Sequence, residues 1–419
     1  MSDEARELLR AGDIPGLLRH LRFNAEDMEQ AEVARLMEEA AARSGFDDLR
    51  QAAAAVAADP DDPGKLYDYG YACVERGVSY LAIPALRKAL VLAPGAQPLL
   101  NELVSALEDE VRHAEAVAVL DENAATLRPW PDRYLLAFNA LMAGDLTRAT
   151  AEARRLPDPE DHRWLPARDR LARMLDRAHA VRAVSPLDRR DLRGWHFALT
   201  GGVLATISPF GFDDGMTGRY AYTGDAFGGC RRTLDRLRLI LDAAGRRPTV
   251  VGLLPDRSSH ILGLAAAGLF GLPAEPFDPA RPDALVVAYD LNELDTGGLW
   301  ERAPGQVLFE HATCWTDPPQ VSADVSGFLH QTVTHPWGER LHVEPDGSVQ
   351  RLPPDDRPVE ELAAEIVHAA PTSYEGEDGA PPDSDEALAH LVASVRDHWL
   401  TGPRHRVRSP GPVPSSRFL

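Results

Sequence analysis

The segments AAVAADP, ALVLAP and AATLRP end at Pro60, Pro94 and Pro129, so a helix-ending proline returns at intervals of 34 and 35 residues. That is the period of a helix-turn-helix repeat, in which each helix pair leaves an apolar face to be buried by the next pair. The copy between the first two prolines is the sharpest. Gly70 and Ala82 let two antiparallel helices approach closely, Leu86 and Ala89 pack the following pair, and Pro94 ends the second helix. A looser copy, YLLAFNALMAGDLTRATAEARRLPDP, turns at Gly144 and Asp145 and carries Ala149, Ala153 and Leu156 as its inward stripe. Residues 1–58 show apolar positions at three- and four-residue steps and extend the helices to the N-terminus as a cap.

Leu66, Tyr69, Gly70, Cys73, Ala82, Leu86, Ala89 and Pro94 fall at the offsets of the tetratricopeptide repeat. Residues 30–160 resemble that family, most clearly over residues 60–160, with Leu66 and Cys73 where it carries larger side chains. The resemblance implies a concave surface that docks a protein partner. Tyr67, Tyr71, Asn101, Tyr134 and Asn139 are the candidate groove residues, because they are polar or amphipathic within otherwise apolar repeat helices. Tyr67 and Tyr71 stand one helical turn apart and share a face.

After a turn-rich break, PDPEDHRWLP, a last amphipathic helix closes the repeat, and the period changes near Ser185. Beyond it WHFALTGG, VLATISP, TVVGLL, AEPFD, ALVVAYD and GQVLFEHATCW read as apolar strands, and CRRTLDRLRLILDAAG and SHILGLAAAGLFG as helices between them. Strands without alternation are buried on both faces, which predicts a doubly wound, mainly parallel α/β sheet. FLHQTVTHPWGERLHVEPDGSVQRLPP reads as irregular structure with a hairpin at Asp346-Gly347. The expected organisation is therefore multidomain, α followed by α/β. It comprises a helical repeat at 1–184, an α/β domain at 186–370, an acidic proline-rich linker at 371–385, a helix at 386–400 and a disordered tail at 401–419.

The turn PDRSS joins strand TVVGLL to a helix and offers free backbone N–H groups at a positive helix end. Arg257, Ser258 and Ser259 add a charge and two hydroxyls, enough donors for a phosphate; alternatively Ser258 is a helix cap and Asp256 a turn residue. A second strand, ALVVAYD, delivers Asp290 at its carboxyl end, followed by Asp295, Thr296, Gly297 and Gly298 in a tight turn. Ligands of open α/β sheets bind at that edge. Together the two stretches resemble a type I phosphoribosyltransferase. That resemblance implies Asp256, Arg257 and Ser258 in a pyrophosphate turn, Asp290 as an acid of the ribose-phosphate loop, and Thr296, Gly297 and Gly298 as its phosphate cradle. The pattern departs at Leu291 and Leu299, and the connection is too short for the family's catalytic loop, so it speaks to fold more than to activity.

Composition removes other chemistries. Lys65 and Lys88 are the only lysines, so the second half can host neither a Walker-type lysine nor a pyridoxal Schiff base. A formal charge of −21 leaves no basic face for nucleic acid. With no apolar run of membrane-spanning length and no signal-peptide core, the reading is a cytoplasmic chain without a membrane partner. Cys73, Cys230 and Cys314 are too scattered for a disulfide framework or zinc ribbon. His311, Cys314, Asp317, His330 and His335, and separately Asp213 and Asp214, are weighed as metal ligands, but the spacings match no metal motif and no metal is assigned. No cofactor is indicated. A Ser258 or Ser259 hydrolase with His311 and Asp290 lacks the GxSxG elbow. The favoured function is a scaffold that docks a protein through the repeat and senses a ligand with its α/β domain. The alternative is a phosphoribosyltransferase-like or other enzyme acting on a phosphate-containing small molecule, with Asp290 and Asp256 catalytic.

Overall fold

The computed structural model describes residues 2–343, 349–372 and 380–416. The chain divides into two compact units, Met1–Leu165 and Pro166–Leu419. The first holds helices α1 (Ser2–Ala11), α2 (Ile14–Asn24), α3 (Gln30–Ser44), α4 (Asp47–Ala58), α5 (Pro63–Glu75), α6 (Ser79–Leu92), α7 (Gln97–Asp109), α8 (His113–Glu122), α9 (Tyr134–Met142) and α10 (Leu146–Ala153). From α3 to α10 each helix packs on the next. Asp62 starts α5 by accepting the N–H groups of Gly64 and Lys65, with Pro63 at the first helical position. Leu66, Tyr69, Cys73, Leu86 and Ala89 are fully buried between these helices. At Gly70 a Cβ would lie 2.6 Å from Leu86 Cγ, so only glycine permits this approach of α5 to α6.

The second unit begins earlier than expected. Helix α11 (Leu165–Arg182), read from sequence as the close of the repeat, belongs to it from Pro166 onward. Buried Arg177 donates from Nε and Nη2 to the carbonyls of Ala198 and Leu199, at the C-terminal end of α12 (Leu192–Thr200). A guanidinium out of water needs such acceptors, and a helix C-terminus supplies them. Helix α12 is itself a correction: it contains WHFALT, which reads as a strand. An apolar run without alternation is ambiguous between buried strand and buried helix. Here the caps decide, with Asp191 accepting from Gly194 N–H and Gly201 ending the helix at φ +81°.

The sheet comprises β1 (Val203–Leu204), β2 (Tyr220–Gly224), β3 (Val250–Leu253), β4 (Ala274–Pro276), β5 (Ala284–Ala288), β6 (Val307–Cys314) and β7 (Val325–Thr334). Its order is β1-β7-β6-β5-β3-β4, β2 also pairs with β7, and every pairing is parallel. β7 covers a stretch expected to be irregular; it sits inside the sheet, paired with β1 and β2 on one side and β6 on the other. β8 (Arg340–Val343) and β9 (Val349–Leu352) form the antiparallel pair of the expected hairpin, whose Asp346-Gly347 turn lies outside the described residues.

Helices α13 (Phe227–Ala243) and α14 (Arg257–Phe270) pack on the strands, with α15 (Val359–His368) and α16 (Asp385–Val395) against them. The expected winding by helices does not extend to the connections of β5, β6 and β7. The connections from β5 to β6 and from β6 to β7 hold no α-helix, and a second apolar cluster, including Leu254, Val286, Leu291, Leu299, Leu308 and Val321, is closed by loops. Nor is the C-terminal segment disordered. Buried Arg404 donates to Asp324 Oδ2 from Nε at 3.0 Å and Nη2 at 2.7 Å, Val413 is buried, and Ser416 N–H donates to Gly215 O. The linker is pinned as well, since Asp383 pairs with the buried guanidiniums of Arg193 and Arg236. Residues 373–379 of that linker and 417–419 of the tail lie outside the described residues.

Candidate functional site

The turn after β3 serves the chain's own structure. Asp256 caps α14 by accepting from Ser259 N–H, and Arg257 Nη2 donates to the carbonyls of Asp355 and Arg357 at 3.0 and 2.7 Å. Ser258 Oγ accepts from Trp337 Nε1, and Ser259 Oγ accepts from Tyr289 N–H. The side chains of Asp256, Arg257, Ser258 and Ser259, which suggested a phosphate site, thus each have a protein partner. After β5, Asp290 accepts from Asn292 N–H, and the Asp295 carboxylate accepts from Gly297 N–H in a turn that Gly298 closes at φ +82°. Thr296 O accepts from Leu299 N–H in the same turn. No hydrogen bond or ion pair among the described residues links Arg257 to Asp290 or Thr296.

The polar groups that do converge come from the ends of β2, β5 and β6 and the first turn of α13. Asp225 Oδ2 accepts from Tyr289 Oη at 2.7 Å, lies 2.8 Å from His311 Nε2 and takes a longer contact of 3.3 Å from Cys230 Sγ. Ala226 N–H donates to the other carboxylate oxygen at 2.8 Å. On the far side of the imidazole, His311 Nδ1 is 2.7 Å from Thr233 Oγ1, whose own proton goes to the Cys230 carbonyl. Nδ1 therefore donates to Thr233. Burial works to raise the Asp225 carboxyl, but the His311 charge and the bonds from His311, Tyr289 and Ala226 outweigh it and hold the group below the usual carboxylate range. With Nδ1 donating to Thr233 and Nε2 facing the carboxylate, both ring nitrogens of His311 are placed as donors, the arrangement of an ion pair with Asp225. Burial first, then the Asp225 charge, pushes the Cys230 thiol and Tyr289 phenol well up, so both keep their protons.

Asp225, Cys230 and His311 carry ligand atoms within 4.8 Å of one another and are the described residues best placed to hold a metal. Two ligands on a tetrahedral zinc stand roughly 3.3 Å apart. The 2.8 Å between His311 and Asp225 is instead a hydrogen-bond length, so the network closes on itself.

A second acid-base group lies beside it. Glu310, fully buried, accepts from Leu291 N–H at 2.8 Å and from Thr313 Oγ1 at 2.5 Å. Burial, then the Asp290 charge, pushes its carboxyl up to about 8, and burial aided by Glu293 pushes Asp290 to about 6. His330 Nε2 is 3.8 Å from Asp290 Oδ2, and neither of its ring nitrogens has a hydrogen-bond partner. Burial first, with the neighbouring His311 and His335, drives its imidazole down to about 4. The pair is thus a neutral imidazole beside a carboxylate, not an ion pair. His335 Nε2 lies 3.2 Å from Glu293 Oε1 at the outer edge, and its ring stacks on Trp337. Groups that exchange protons near neutrality can serve as general acid or base.

On the helical unit the expected partner residues separate. Tyr134 and Asn139 are buried and unavailable to a partner. Tyr134 stacks against Trp130 and Phe138, while Asn139 Oδ1 faces His113 Nδ1 and its Nδ2 donates to Glu108. Asn101 is half-buried, and Tyr67 and Tyr71 form a surface stack with centroids 6.4 Å apart. Sequence reasoning missed Asp225, Arg219 and His196. TGDAFGG carried a usable signal for Asp225, a carboxylate just before a glycine-opened helix, but its partner His311 is 86 residues away. No family model, curated protein or solved structure matches the chain. Among the described residues, no helix is long and apolar enough to cross a membrane.

Proposed function

We propose that the chain is an interaction protein whose helical unit, a tetratricopeptide-like repeat, docks a basic segment of a protein partner, while the α/β unit senses a small ligand. The carrying observation is the chemistry of one face. Tyr71 is 48% exposed and stacked on Tyr67, the charge of Glu102 acts on Tyr67, those of Glu75 and Asp109 act on Glu102, and none of the three carboxylates is in an ion pair among the described residues. Burial, then the charges of Glu75 and Asp109, raises the Glu102 carboxyl, as expected of carboxylates crowded without a counter-ion. Tyrosine faces take arginine or lysine through their π-systems, and the carboxylates supply the complementary charge. The test uses the full chain as bait in a pull-down followed by identification of bound proteins, beside the Tyr71→Ala and Glu102→Lys variants. Partners with basic segments should be captured by the parent and lost in both variants. Equal capture by all three would refute the docking face.

The acid-base group of Asp290, Glu310 and His330 at the carboxyl edge favours a second reading, an enzyme acting on a phosphate-containing small molecule. The commitment of Arg257, Ser258 and Ser259 to protein partners counts against it. Turnover of phosphoribosyl substrates that disappears in Asp290→Asn would establish it over the first.

A further inference from the structure

A cavity of about 610 Å³, counted with the open space at its mouth, lies in the α/β unit between α12, the ends of β6 and β7, and the tail segment 407–410. Its walls are largely apolar, with Leu199, Leu329 and Trp315 among them, and no aspartate or glutamate among the described residues lines it.

Arg219 reaches this cavity while only 1% exposed. Nη1 donates to Pro414 O at 3.0 Å and Nη2 to Val413 O at 3.5 Å, whereas Nε has no partner and Trp315 lies 5.4 Å from the guanidinium carbon. No carboxylate among the described residues pairs with it. Among the other deeply buried guanidiniums of this unit, Arg193 and Arg236 share Asp383 and Arg404 is paired with Asp324; Arg177 rests on backbone carbonyls, as Arg219 does, but it is not part of the cavity wall that Arg219 lines. A buried cation without an anion is costly, and here it borders open space. His196, which also lines the cavity, adds a second unfilled valence, since its Nε2 is buried and has no hydrogen-bond partner. Burial, then the charges of Arg219 and Arg193, lowers its imidazole to about 4, so the ring is neutral and able to donate one hydrogen bond. At the mouth stands Arg408, exposed and in no ion pair among the described residues.

We infer that this cavity binds a small organic acid, its carboxylate on Arg219 and His196 and its apolar body against Leu199, Leu329 and Trp315. The inference rests on the reading of the α/β unit as a ligand-sensing module and names the ligand class. The tail residues form part of the wall, so occupancy would also hold the tail in place.

The experiment is a thermal-shift and calorimetric titration of the full chain with benzoate, phenylacetate and hexanoate, each beside its neutral primary amide. At least one acid should raise the melting temperature with concentration and bind ten times or more tightly than its amide. Arg219→Met should abolish that binding and Arg219→Lys should retain part of it. Because removing a buried arginine can impair folding, exposed Arg408→Glu is the second variant, and it should weaken the acid severalfold. Bound acid should also slow trypsin cleavage after Arg408. Equal binding of acids and amides, no response to any acid at millimolar concentration, or an unchanged affinity in Arg408→Glu and Arg219→Met would each overturn the inference. If the acids fail while basic partners are still captured through Tyr71, the cavity assignment falls and the docking face stands.

Discussion

Replacing Asp225 by alanine removes the acceptor on which three buried donors converge. Tyr289 and His311 hydrogen-bond to one carboxylate oxygen at 2.7 and 2.8 Å, Cys230 approaches it at 3.3 Å, and the side chains of all three are out of solvent. Breaking a buried ion pair by deleting one partner costs about 3–5 kcal/mol, because the remaining charge is left uncompensated. The orphaned phenol would add roughly 1 kcal/mol or more, partly recovered if water enters the space. Asp225→Ala should therefore destabilise the α/β unit by about 4 kcal/mol, close to a thousandfold in the unfolding equilibrium. Urea unfolding followed by tryptophan fluorescence reads this directly, since Trp337 lies 5.4 Å from Tyr289. A cycle with His311→Ala isolates the pair: the double variant should cost at least about 1.5 kcal/mol less than the sum of the single changes. A loss under about 1 kcal/mol for Asp225→Ala, or simple additivity in the cycle, would refute the ion-pair account. The folded carboxyl lies below its unfolded value, so its contribution is fully present above the unfolded value near ~3.9 and fades as pH falls through the folded one.

Glu310 has the opposite sign: its folded value of about 8 exceeds the unfolded one, so stability should decline as pH rises from roughly 4.3 toward 8. Glu310→Gln, whose amide can reproduce the protonated acid's contacts, should match the parent at pH 5 and exceed it at pH 8.5 in urea unfolding. Gly70→Ala should cost about 1–3 kcal/mol in thermal unfolding of the helical unit, because its Cβ would press on Leu86. Arg404→Ala leaves Asp324 with Arg302 alone as an ion-pair partner and frees the tail, so limited trypsin digestion should cut after Arg406 and Arg408 much faster than in the parent, with unchanged rates counting against the anchoring role.

How much was legible depended on whether the determining contacts are local. The helices of the first unit, the Gly70–Leu86 approach and the strands at 250–253, 284–288 and 307–314 follow from periodicity, caps and apolar runs within short windows. Periodicity lost its force where an apolar run had no alternation. The run WHFALT became a helix because Asp191 and Gly201 cap it, and β7 formed because neighbouring strands on both sides satisfied its backbone.

The sequence by itself determined a helical array followed by a parallel α/β unit, since short-range patterning dictates which backbone hydrogen bonds each segment can make and which face it must bury. Only the tertiary structure decided which polar groups are available for function. Arg257 looked free to bind an anion but is bound to the carbonyls of Asp355 and Arg357, and Asn139 looked like a groove residue but is bound to His113 and Glu108. Conversely Arg219, unremarkable in sequence, is the buried cation left facing a cavity. A charged side chain's role is set by whether folding brings it a partner, and that partner often comes from a residue far away in the chain.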